Sequence, residues 1–396
     1  MLPNGWKKVK LGDVVKMSSG GTPSKDNASF WDGDIPWISA LEMHKNFVEE
    51  AKLNITEDAL KKGSSLAKKN DLLLLTRGSM LWKRIPVCLC LRDVAFNQDV
   101  KCLHANEKLN STFLLYWFGC MEPKIMHMVV GTGIGAGKLE SSGILDLDVN
   151  LPPLEEQKKI AATLSVWDSA IEKMEKLIDA KESLLTEYGK ELFGRTEQKQ
   201  NENWSTIALS EVLNEHGHKS TGEEEVFSVS VHKGLVNQIE HLGRSFAAKD
   251  TSNYNRVHYG DIVYTKSPTG DFPLGIVRQS LIKEDVIVSP LYGVFTPKTF
   301  ELGAILDFYF SSPINANNYL HPVAQKGAKN TINITNKKFL SAKLRLPIDI
   351  KEQKKIAQFV QTTKKEMAVL QEILENYKKQ KQGLMQKLLT GQWRVK

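Results

Sequence analysis

Cysteine is scarce in this 396-residue chain, which has four cysteines, all in the first half. Cys88 and Cys90 alternate within an apolar stretch, and Cys102 and Cys120 follow at longer intervals. This spacing matches no common zinc-ligand pattern, although it does not by itself exclude zinc. We therefore expect buried free thiols in a reducing cytoplasm.

Long hydrophobic runs are also missing. The densest, around Leu72–Leu75 and Ile85–Leu91, have the length of strands, whereas a membrane span needs roughly 18 apolar residues. The first residues have no apolar core of the kind that a secretory signal requires. The sequence therefore predicts a cytoplasmic protein with no membrane partner.

No catalytic motif is present. The stretch Gly131–Lys138 resembles a phosphate-binding loop, but Thr132 stands where the first glycine is required, and Leu139 stands where Ser or Thr should follow the lysine. Asn150–Leu154 lacks the Asn-Pro-Pro-aromatic order of base methyltransferases. The nine histidines are scattered, and each is expected to be a surface or core residue rather than a ligand. These absences favour a binding protein without a catalytic site, a metal or a cofactor of its own.

The positive charge is unevenly distributed. The chain carries a net +7, and the segment Lys351–Lys396 alone, with ten lysines and one arginine against four glutamates, accounts for all of it. The remainder is close to neutral. If the globular parts bind nucleic acid, they must do so through local basic patches.

The most informative feature is an internal repeat. Glu156–Ala161 recurs letter for letter as Glu352–Ala357, and each copy follows a Leu-Pro pair and opens a long helical pattern. The first helix is expected to begin after Pro152-Pro153, and the second is expected to have Asp349 as its cap. Gly194 and Gly391 are the predicted stops.

Both helices carry apolar residues in alternating steps of four and three, which predicts a coiled coil. If the second globule has its entry and exit close together, the helices run antiparallel about an approximate two-fold axis. Such a seam is about 48 Å long at 1.5 Å per residue, or roughly 14 base pairs. Lys181 and Lys381 interrupt it, and we expect them to extend outward to solvent rather than to set the register. The seam residues are Ile160, Leu164, Trp167, Ile171, Met174, Ile178, Leu185, Tyr188 and Leu192, then Ile356, Val360, Thr363, Met367, Leu370, Leu374, Tyr377, Leu384 and Leu388.

The two globules are predicted to be α+β domains with mixed sheets. Landmarks such as Trp6 and Trp204 correspond, as do Leu114–Phe118 and Leu306–Phe310, both predicted as short amphipathic helices. Between such landmarks the globules diverge. The expected division is 1–154 (first recognition domain), 155–194 (first helix), 195–203 (linker), 204–350 (second recognition domain) and 351–396 (second helix).

Polar, basic loops recur at corresponding places in the two halves. Arginine can hold guanine bidentately, Lys and Ser can hold phosphates, and an aromatic ring such as that of Trp82 can stack or wedge. Each residue alone could be an ordinary solvated side chain, but the set predicts DNA contacts. The candidates are Arg77, Ser79, Lys83, Arg84 and Lys138 in the first half, and Lys266, Ser267, Thr269, Lys326, Lys329 and Asn330 in the second.

Several of these stretches resemble the specificity subunits of type I restriction-modification systems. The resemblance rests on Ser19–Ser24, Phe30–Ser39, Asn97–Val100 and Leu151–Gln157, and in the second half on Lys249–Tyr254 and Ser289–Tyr292. It covers the whole chain and adds Thr22 and Lys25 to the candidate DNA-binding residues. The second helix entry departs from the pattern with one proline, Pro347, where the first entry has two.

The resemblance implies that each globule reads one half of a split, asymmetric DNA sequence, and that the helices set the gap and bind two methyltransferase (modification) subunits. S-adenosylmethionine, ATP and Mg²⁺ would belong to those partners and to restriction/translocase subunits. Two alternatives stay open at this stage. One is a coiled-coil scaffold whose globules bind proteins, and the other is a self-contained methyltransferase or nuclease with unrecognised motifs.

Overall fold

The computed structural model describes residues 2–133, 135–194, 202–242, 250–326 and 332–395. Its contacts divide the chain into two compact units. Unit 1 comprises Met1–Glu175 and Glu372–Lys396, and unit 2 comprises Lys176–Gln371. Each unit thus combines one globule with part of each long helix.

Unit 1 alternates short strands with a few helices. The strands are β1 (Lys7–Lys10), β2 (Val15–Ser19), β3 (Ile35–Ile38), β4 (Phe47–Val48), β5 (Asn54–Ile55), β6 (Ser65–Ala67), β7 (Leu72–Leu75), β8 (Arg77–Gly78), β9 (Val87–Cys90), β10 (Val94–Phe96), β11 (Val100–Ala105), β12 (Val130–Gly131), β13 (Gly137–Lys138) and β14 (Asp148–Leu151). The helices are α1 (Glu57–Gly63), α2 (Ser111–Met126), α3 (Ser141–Leu145) and α4 (Leu154–Phe193), of which α4 continues into unit 2.

Unit 2 follows the same plan. Its strands are β15 (Trp204–Ala208), β16 (Leu213–Glu215), β17 (Phe227–Ser230), β18 (Gly234–Asn237), β19 (Asn255–Val257), β20 (Ile262–Thr265), β21 (Ile276–Gln279), β22 (Val286–Val288), β23 (Gly293–Pro297), β24 (Gln325–Lys326), β25 (Ile332–Asn333) and β26 (Lys343–Pro347). Its helices are α5 (Gln238–Leu242), α6 (Phe300–Phe310), α7 (Pro313–Leu320), α8 (Asn336–Ser341) and α9 (Ile350–Leu389), and α9 continues into unit 1.

The central sheets of the two units share the order of four strands, to which unit 1 adds β4 at one edge. In unit 1 the order is β2-β11-β7-β9-β4, and in unit 2 it is β16-β23-β20-β21. In each unit the first strand pairs antiparallel with the strand that leads into a long helix, β1 with β14 and β15 with β26. The α+β repeat predicted from the sequence is therefore confirmed at the level of strand order.

The repeated hexapeptide owes much of its identity to packing at the helix entries. Gln157 is fully buried, accepts a hydrogen bond from the Asn110 N–H at 2.8 Å and donates to the Lys108 carbonyl at 2.9 Å. Gln353 is 4% exposed, donates to the Pro347 carbonyl and accepts from the Thr299 hydroxyl. The glutamine thus fastens each helix entry to the globule before it.

The long helices run antiparallel within each unit. In unit 1, Asp168 and Glu175 of α4 pair with Lys381 and Lys378 of α9, so the partner number falls as the α4 number rises. In unit 2, Lys181 pairs with Glu366 at 2.6 Å, and Tyr188 contacts Phe359 with ring centroids 4.5 Å apart. Every predicted seam residue is buried or half-buried, and the fully buried Ile160 and Leu164 each contribute about 1.5–3 kcal/mol by leaving water.

One detail of the helices differs from the sequence-based expectation. Lys181 and Lys381 were expected to extend to solvent, but each ammonium group pairs with a carboxylate on the other helix, because the antiparallel register places Glu366 and Asp168 opposite them. The predicted stops are confirmed, because α4 ends at Phe193, just before Gly194, and α9 ends at Leu389, two residues before Gly391. Gly391 takes a φ of +77°, and beyond it Arg394 turns back to Glu156 at 2.7 Å. The Asp349 cap is confirmed, since its carboxylate accepts from the Glu352 N–H at 2.9 Å.

The helices α2 and α6 are longer and more buried than the amphipathic segments predicted from Leu114–Phe118 and Leu306–Phe310. In α2, all six residues from Phe113 to Phe118 are buried. Each helix faces the sheet on one side and a long helix on the other. Tyr116 of α2 donates to Asp168 of α4 at 2.6 Å, and Asp307 of α6 pairs with Lys364 of α9 at 2.7 Å.

Candidate nucleic-acid interface

The candidate interface of unit 1 is organised by Thr76, which directly follows the buried strand β7. Its backbone N–H and its hydroxyl both donate to the Asp99 carbonyl, at 2.8 and 3.0 Å. Its own carbonyl accepts from the Leu139 N–H at 2.8 Å. A single 5%-exposed threonine therefore joins three segments that are far apart in sequence, 97–99, 77–84 and 130–139.

Strand pairing then places two cationic residues side by side. β13 pairs antiparallel with β8, so Lys138 stands directly opposite Arg77. Like charges at such positions destabilise a sheet unless an anion lies between or beside them. Lys138 is paired with Glu140 at 2.7 Å, whereas Arg77 is exposed and has no carboxylate within ion-pair distance among the described residues. Arg77 is thus available to an external acceptor.

The glycine-rich stretch Gly131–Lys138 forms a hairpin rather than the loop that the sequence indicated. β12 and β13 pair through Val130 and Lys138, and the Thr132 N–H and hydroxyl both donate to the Ala136 carbonyl. Trp82 fastens the hairpin, because its indole N–H donates to the Gly135 carbonyl at 3.0 Å while 48% of the residue remains exposed. Ile134 lies outside the described residues.

The other predicted residues of this region differ in whether their side chains are free to contact DNA. Ser79 and Lys83 are exposed beside Trp82. The guanidinium of Arg84 instead donates to the carbonyls of Met43 and His44, so its geometry is that of a structural residue. The sequence could not separate Arg84 from Arg77, because the acceptors lie about forty residues away.

The segment 20–25 lies beside the same edge, because it contacts the 97–99 loop. The Thr22 hydroxyl donates to the Gln98 side chain at 2.6 Å, and Lys25 is exposed. Gly20 is required here, since a Cβ would lie 2.2 Å from the Phe96 carbonyl oxygen. The structure therefore brings Thr22 near the segment that Thr76 binds, and it completes a basic edge defined by Arg77, Ser79, Trp82, Lys83 and Lys138.

Unit 2 presents the corresponding edge at the end of β20. Lys266 is half-buried, and this burial lowers the pKa of its ammonium group against the opposing effect of Glu215. Ser267 and Thr269 are exposed, and Thr269 exchanges two backbone hydrogen bonds with Phe272 in a tight turn. Lys326 lies on β24 of a β24–β25 hairpin, while Lys329 and Asn330 lie outside the described residues.

One constellation in unit 2 was missed by the sequence reasoning. Ring nitrogens of His216, His218 and His258 lie within 4.8 Å of one another, although each histidine was expected to be a surface or core residue rather than a ligand. The signal present in the sequence was a His-x-His spacing at the end of a strand, which places two side chains on one face.

The cysteines follow the expectation more closely. Cys88, Cys90 and Cys102 are buried free thiols, and Cys120 is half-buried. Burial raises the pKa of Cys88 and of Cys102 to about 12, so neither is a thiolate at neutral pH. Among the described residues, no helix is long and apolar enough to cross a membrane.

Comparison with known proteins decides the family. Two segments of the chain, residues 3–182 and 201–377, match the family described as Type I restriction modification DNA specificity domain. The chain belongs to this family of type I specificity subunits. It is thus a DNA-recognition subunit without catalytic function, and in type I systems the catalytic activities reside in other subunits.

Individual specificity subunits show how far the similarity reaches. The specificity subunit of the Escherichia coli type I restriction enzyme EcoR124I/EcoR124II is 30% identical over 166 residues, which is 41% of this chain and 41% of that subunit. The MjaVIII specificity subunit of Methanocaldococcus jannaschii is 25% identical over 100% of this chain and 94% of its own length. The crystal structure of the S subunit from M. genitalium shares the fold, with a TM-score of 0.63 at 16% identity over 98% of both chains.

Proposed function

We propose that this specificity subunit reads a bipartite, asymmetric DNA sequence, with unit 1 recognising one half and unit 2 the other. The observation that carries the proposal is the repeated sheet, which ends in both units at a polar, basic edge, after β7 in one and after β20 in the other. The side chains at the two edges differ, as two different half-sites require.

The exposed groups at the unit 1 edge suit base and phosphate contacts. Arg77 offers a guanidinium that can bind guanine O6 and N7 together, and Ser79 and Lys83 offer donors for phosphate oxygens. Their backbone is held by the Thr76 hydrogen bonds and the β8–β13 pairing, which limits the entropy lost on binding. Arg84 is left out of the proposed contact set.

The helices are the proposed docking surface for two modification subunits and, through them, for restriction subunits. Large apolar residues are exposed on α4, among them Val166 in unit 1 and Leu177 and Leu184 in unit 2. Leu177 and Leu184 are seven residues apart and so lie on one helix face. S-adenosylmethionine, ATP and Mg²⁺ are assigned to the partners, and the whole complex to the cytoplasm.

Methylation mapping tests the proposal. The chain is co-expressed with a candidate modification subunit in cells, and modified adenines are located by sequencing the host DNA. The expected result is a motif with two fixed halves and a constant gap. Unmodified DNA despite a stably assembled complex would overturn the proposal and favour a protein-binding scaffold instead.

Single substitutions assign each half of the motif to a unit. Arg77→Ala should relax or abolish one half while leaving the bases of the other unchanged, and Lys266→Ala should affect the opposite half. Arg92→Ala is the matched control, because Arg92 is an exposed arginine of unit 1 that donates to the Asp34 carbonyl away from the β8 strand. Equal effects of Arg77→Ala on both halves would contradict the division of labour.

A further inference from the structure

The histidine cluster of unit 2 has the arrangement of a metal site rather than of three unrelated side chains. His216 follows β16, His218 comes two residues later, and His258 directly follows β19 in the turn that leads to β20. One ring nitrogen of each histidine lies within 4.8 Å of a ring nitrogen of the other two. The ring centroids of His216 and His218 are 4.5 Å apart.

Carboxylates hold two of the three rings by the nitrogen that faces away from the cluster. His216 Nε2 is 2.9 Å from Asp261 Oδ2, and His258 Nδ1 is 2.8 Å from Asp285 Oδ1. A carboxylate behind an imidazole fixes its tautomer and leaves the lone pair of the other nitrogen free, as it does behind metal-binding histidines. In the part of the chain that the structure describes, the ring nitrogens that no carboxylate contacts are His216 Nδ1 and His258 Nε2.

One buried ring nitrogen of the cluster has no hydrogen-bond partner in the described part of the chain, and a bound metal would take up its lone pair. The His216 side chain is only 8% exposed, and its Nδ1 has no hydrogen-bond partner among the described residues. His218 Nδ1 can donate to His258 Nε2, at 2.9 Å, but this bond leaves His216 Nδ1 unsatisfied. Leaving a buried polar nitrogen without a partner destabilises the folded state, so such atoms are rare in folded proteins.

The shared fold does not require these histidines. Strand register makes Ser18 and Gly20 of unit 1 equivalent to His216 and His218, because Val15 pairs with Ala105 as Leu213 pairs with Pro297. Lys68 takes the place of His258, since its N–H donates to Asp71 as the His258 N–H donates to Asp261. At the position equivalent to His258, unit 1 has instead an ion pair between Lys68 and Asp93 at 2.8 Å.

We propose that His216, His218 and His258 form a binding site for a divalent transition metal of the zinc class. Three imidazole nitrogens suit Zn²⁺, and exposed His218 leaves the fourth position open to water. The metal would take up the lone pair of His216 Nδ1 and join the end of β16 to the segment before β20. This inference does not rest on DNA recognition, so the two proposals fail separately.

Cobalt absorption spectroscopy on the full chain, produced without a histidine tag and stripped with a chelator, tests the site directly. Co²⁺ in a site of three histidines and water gives visible d–d bands, and we expect one saturable set that Zn²⁺ removes by competition. Thiolate-to-cobalt charge-transfer absorption should be absent, because all four cysteines lie in unit 1. Either charge-transfer absorption from a thiolate or the absence of any d–d bands would overturn the proposal.

Three variants separate this site from adventitious binding. His218→Ala removes an exposed ligand and should abolish the saturable bands, with an unchanged circular dichroism spectrum. Asp285→Asn removes the carboxylate behind His258 and should weaken the affinity roughly 10–100-fold. His232→Ala, at an exposed histidine of unit 2 outside the cluster, should bind Co²⁺ as the unaltered chain does. Equal affinity of the His218→Ala and unaltered chains would refute the assignment.

Discussion

Replacing Asp168 by alanine should destabilise unit 1 by about 2–3 kcal/mol, which is far more than a surface ion pair is worth. The Asp168 carboxylate binds Lys381 Nζ across the two long helices and accepts the Tyr116 hydroxyl at 2.6 Å. The Lys381 side chain is 15% exposed and that of Asp168 is 22% exposed. The substitution therefore leaves a mostly desolvated ammonium group without its counter-charge.

The magnitude follows from two contributions. Removing one partner of a fully buried ion pair costs about 3–5 kcal/mol, and of an exposed pair about 0–1 kcal/mol, so for a pair of this exposure we take about 1.5 kcal/mol. The Tyr116 hydroxyl keeps a second contact, Ser165 Oγ at 3.0 Å, which limits its loss to about 0.5–1.5 kcal/mol.

Urea denaturation followed by circular dichroism and tryptophan fluorescence measures the cost in a double-mutant cycle with Lys381→Met. The double variant should be more stable than Asp168→Ala alone, because the unpaired charge is gone and the alkyl stem is kept. The matched control is Glu175→Ala in the same helix pair, whose Lys378–Glu175 bridge of 2.9 Å has side chains that are 43% and 46% exposed. It should cost at most about 1 kcal/mol. Equal costs for Asp168→Ala and Glu175→Ala, or an additive cycle, would refute the burial argument.

Three further predictions concern the helix entries and the thiols. The hydrogen bond from Arg394 lowers the pKa of Glu156 below its ordinary value of 4.5. The pair therefore stabilises unit 1 fully at a pH above 4.5, and this contribution is lost as the pH falls through the lower pKa of Glu156 in the folded state. Arg394→Gln should accordingly lower the thermal midpoint at neutral pH but not in acid below the folded pKa, and an equal loss in acid would contradict the assignment. Gln157→Ala should lower the free energy of unfolding by about 2–3 kcal/mol in urea denaturation, because the Asn110 N–H is left unpaired. Gln353→Ala should act similarly on unit 2. A loss below about 0.5 kcal/mol would count against the anchoring role. In thiol titration with a disulfide reagent, Cys120 should react first and Cys88, Cys90 and Cys102 only on unfolding, whereas fast reaction of all four would disprove the burial.

Local patterns in the sequence were sufficient to predict the two helices. A heptad pattern depends only on residues within two turns of one another, and the cap at Asp349 is read from four consecutive residues. Short β-branched runs indicated β20 and β22 for the same reason. Helix direction required the order of globules and helices as well, because a second globule whose entry and exit lie close together returns the second helix along the first. Strand order was not predicted, since it depends on pairing between distant segments.

The candidate site could be predicted only in part, because its geometry depends on register across distant segments. Arg77 and Lys138 are 61 residues apart in sequence, and only the β8–β13 pairing makes them neighbours. Arg84 was grouped with Arg77 since both are basic residues beside a strand end, yet the carbonyls that it binds belong to another turn. The histidine cluster was missed because His258 lies forty residues beyond His218.

The repeated hexapeptide accounts for a common frame in a chain that we propose recognises two different half-sites. Its Gln, Ile and Ala residues are buried in both copies and fasten each long helix to its globule, so packing accounts for their identity. Each copy also contains two exposed lysines, Lys158-Lys159 in the first and Lys354-Lys355 in the second. Because they are exposed, packing does not explain why these lysines recur. Their identity is a property of the helix surface, where the proposed modification subunits would dock in the same way on each half. The edges after β7 and β20 face no such shared requirement, and there the side chains of the two units differ.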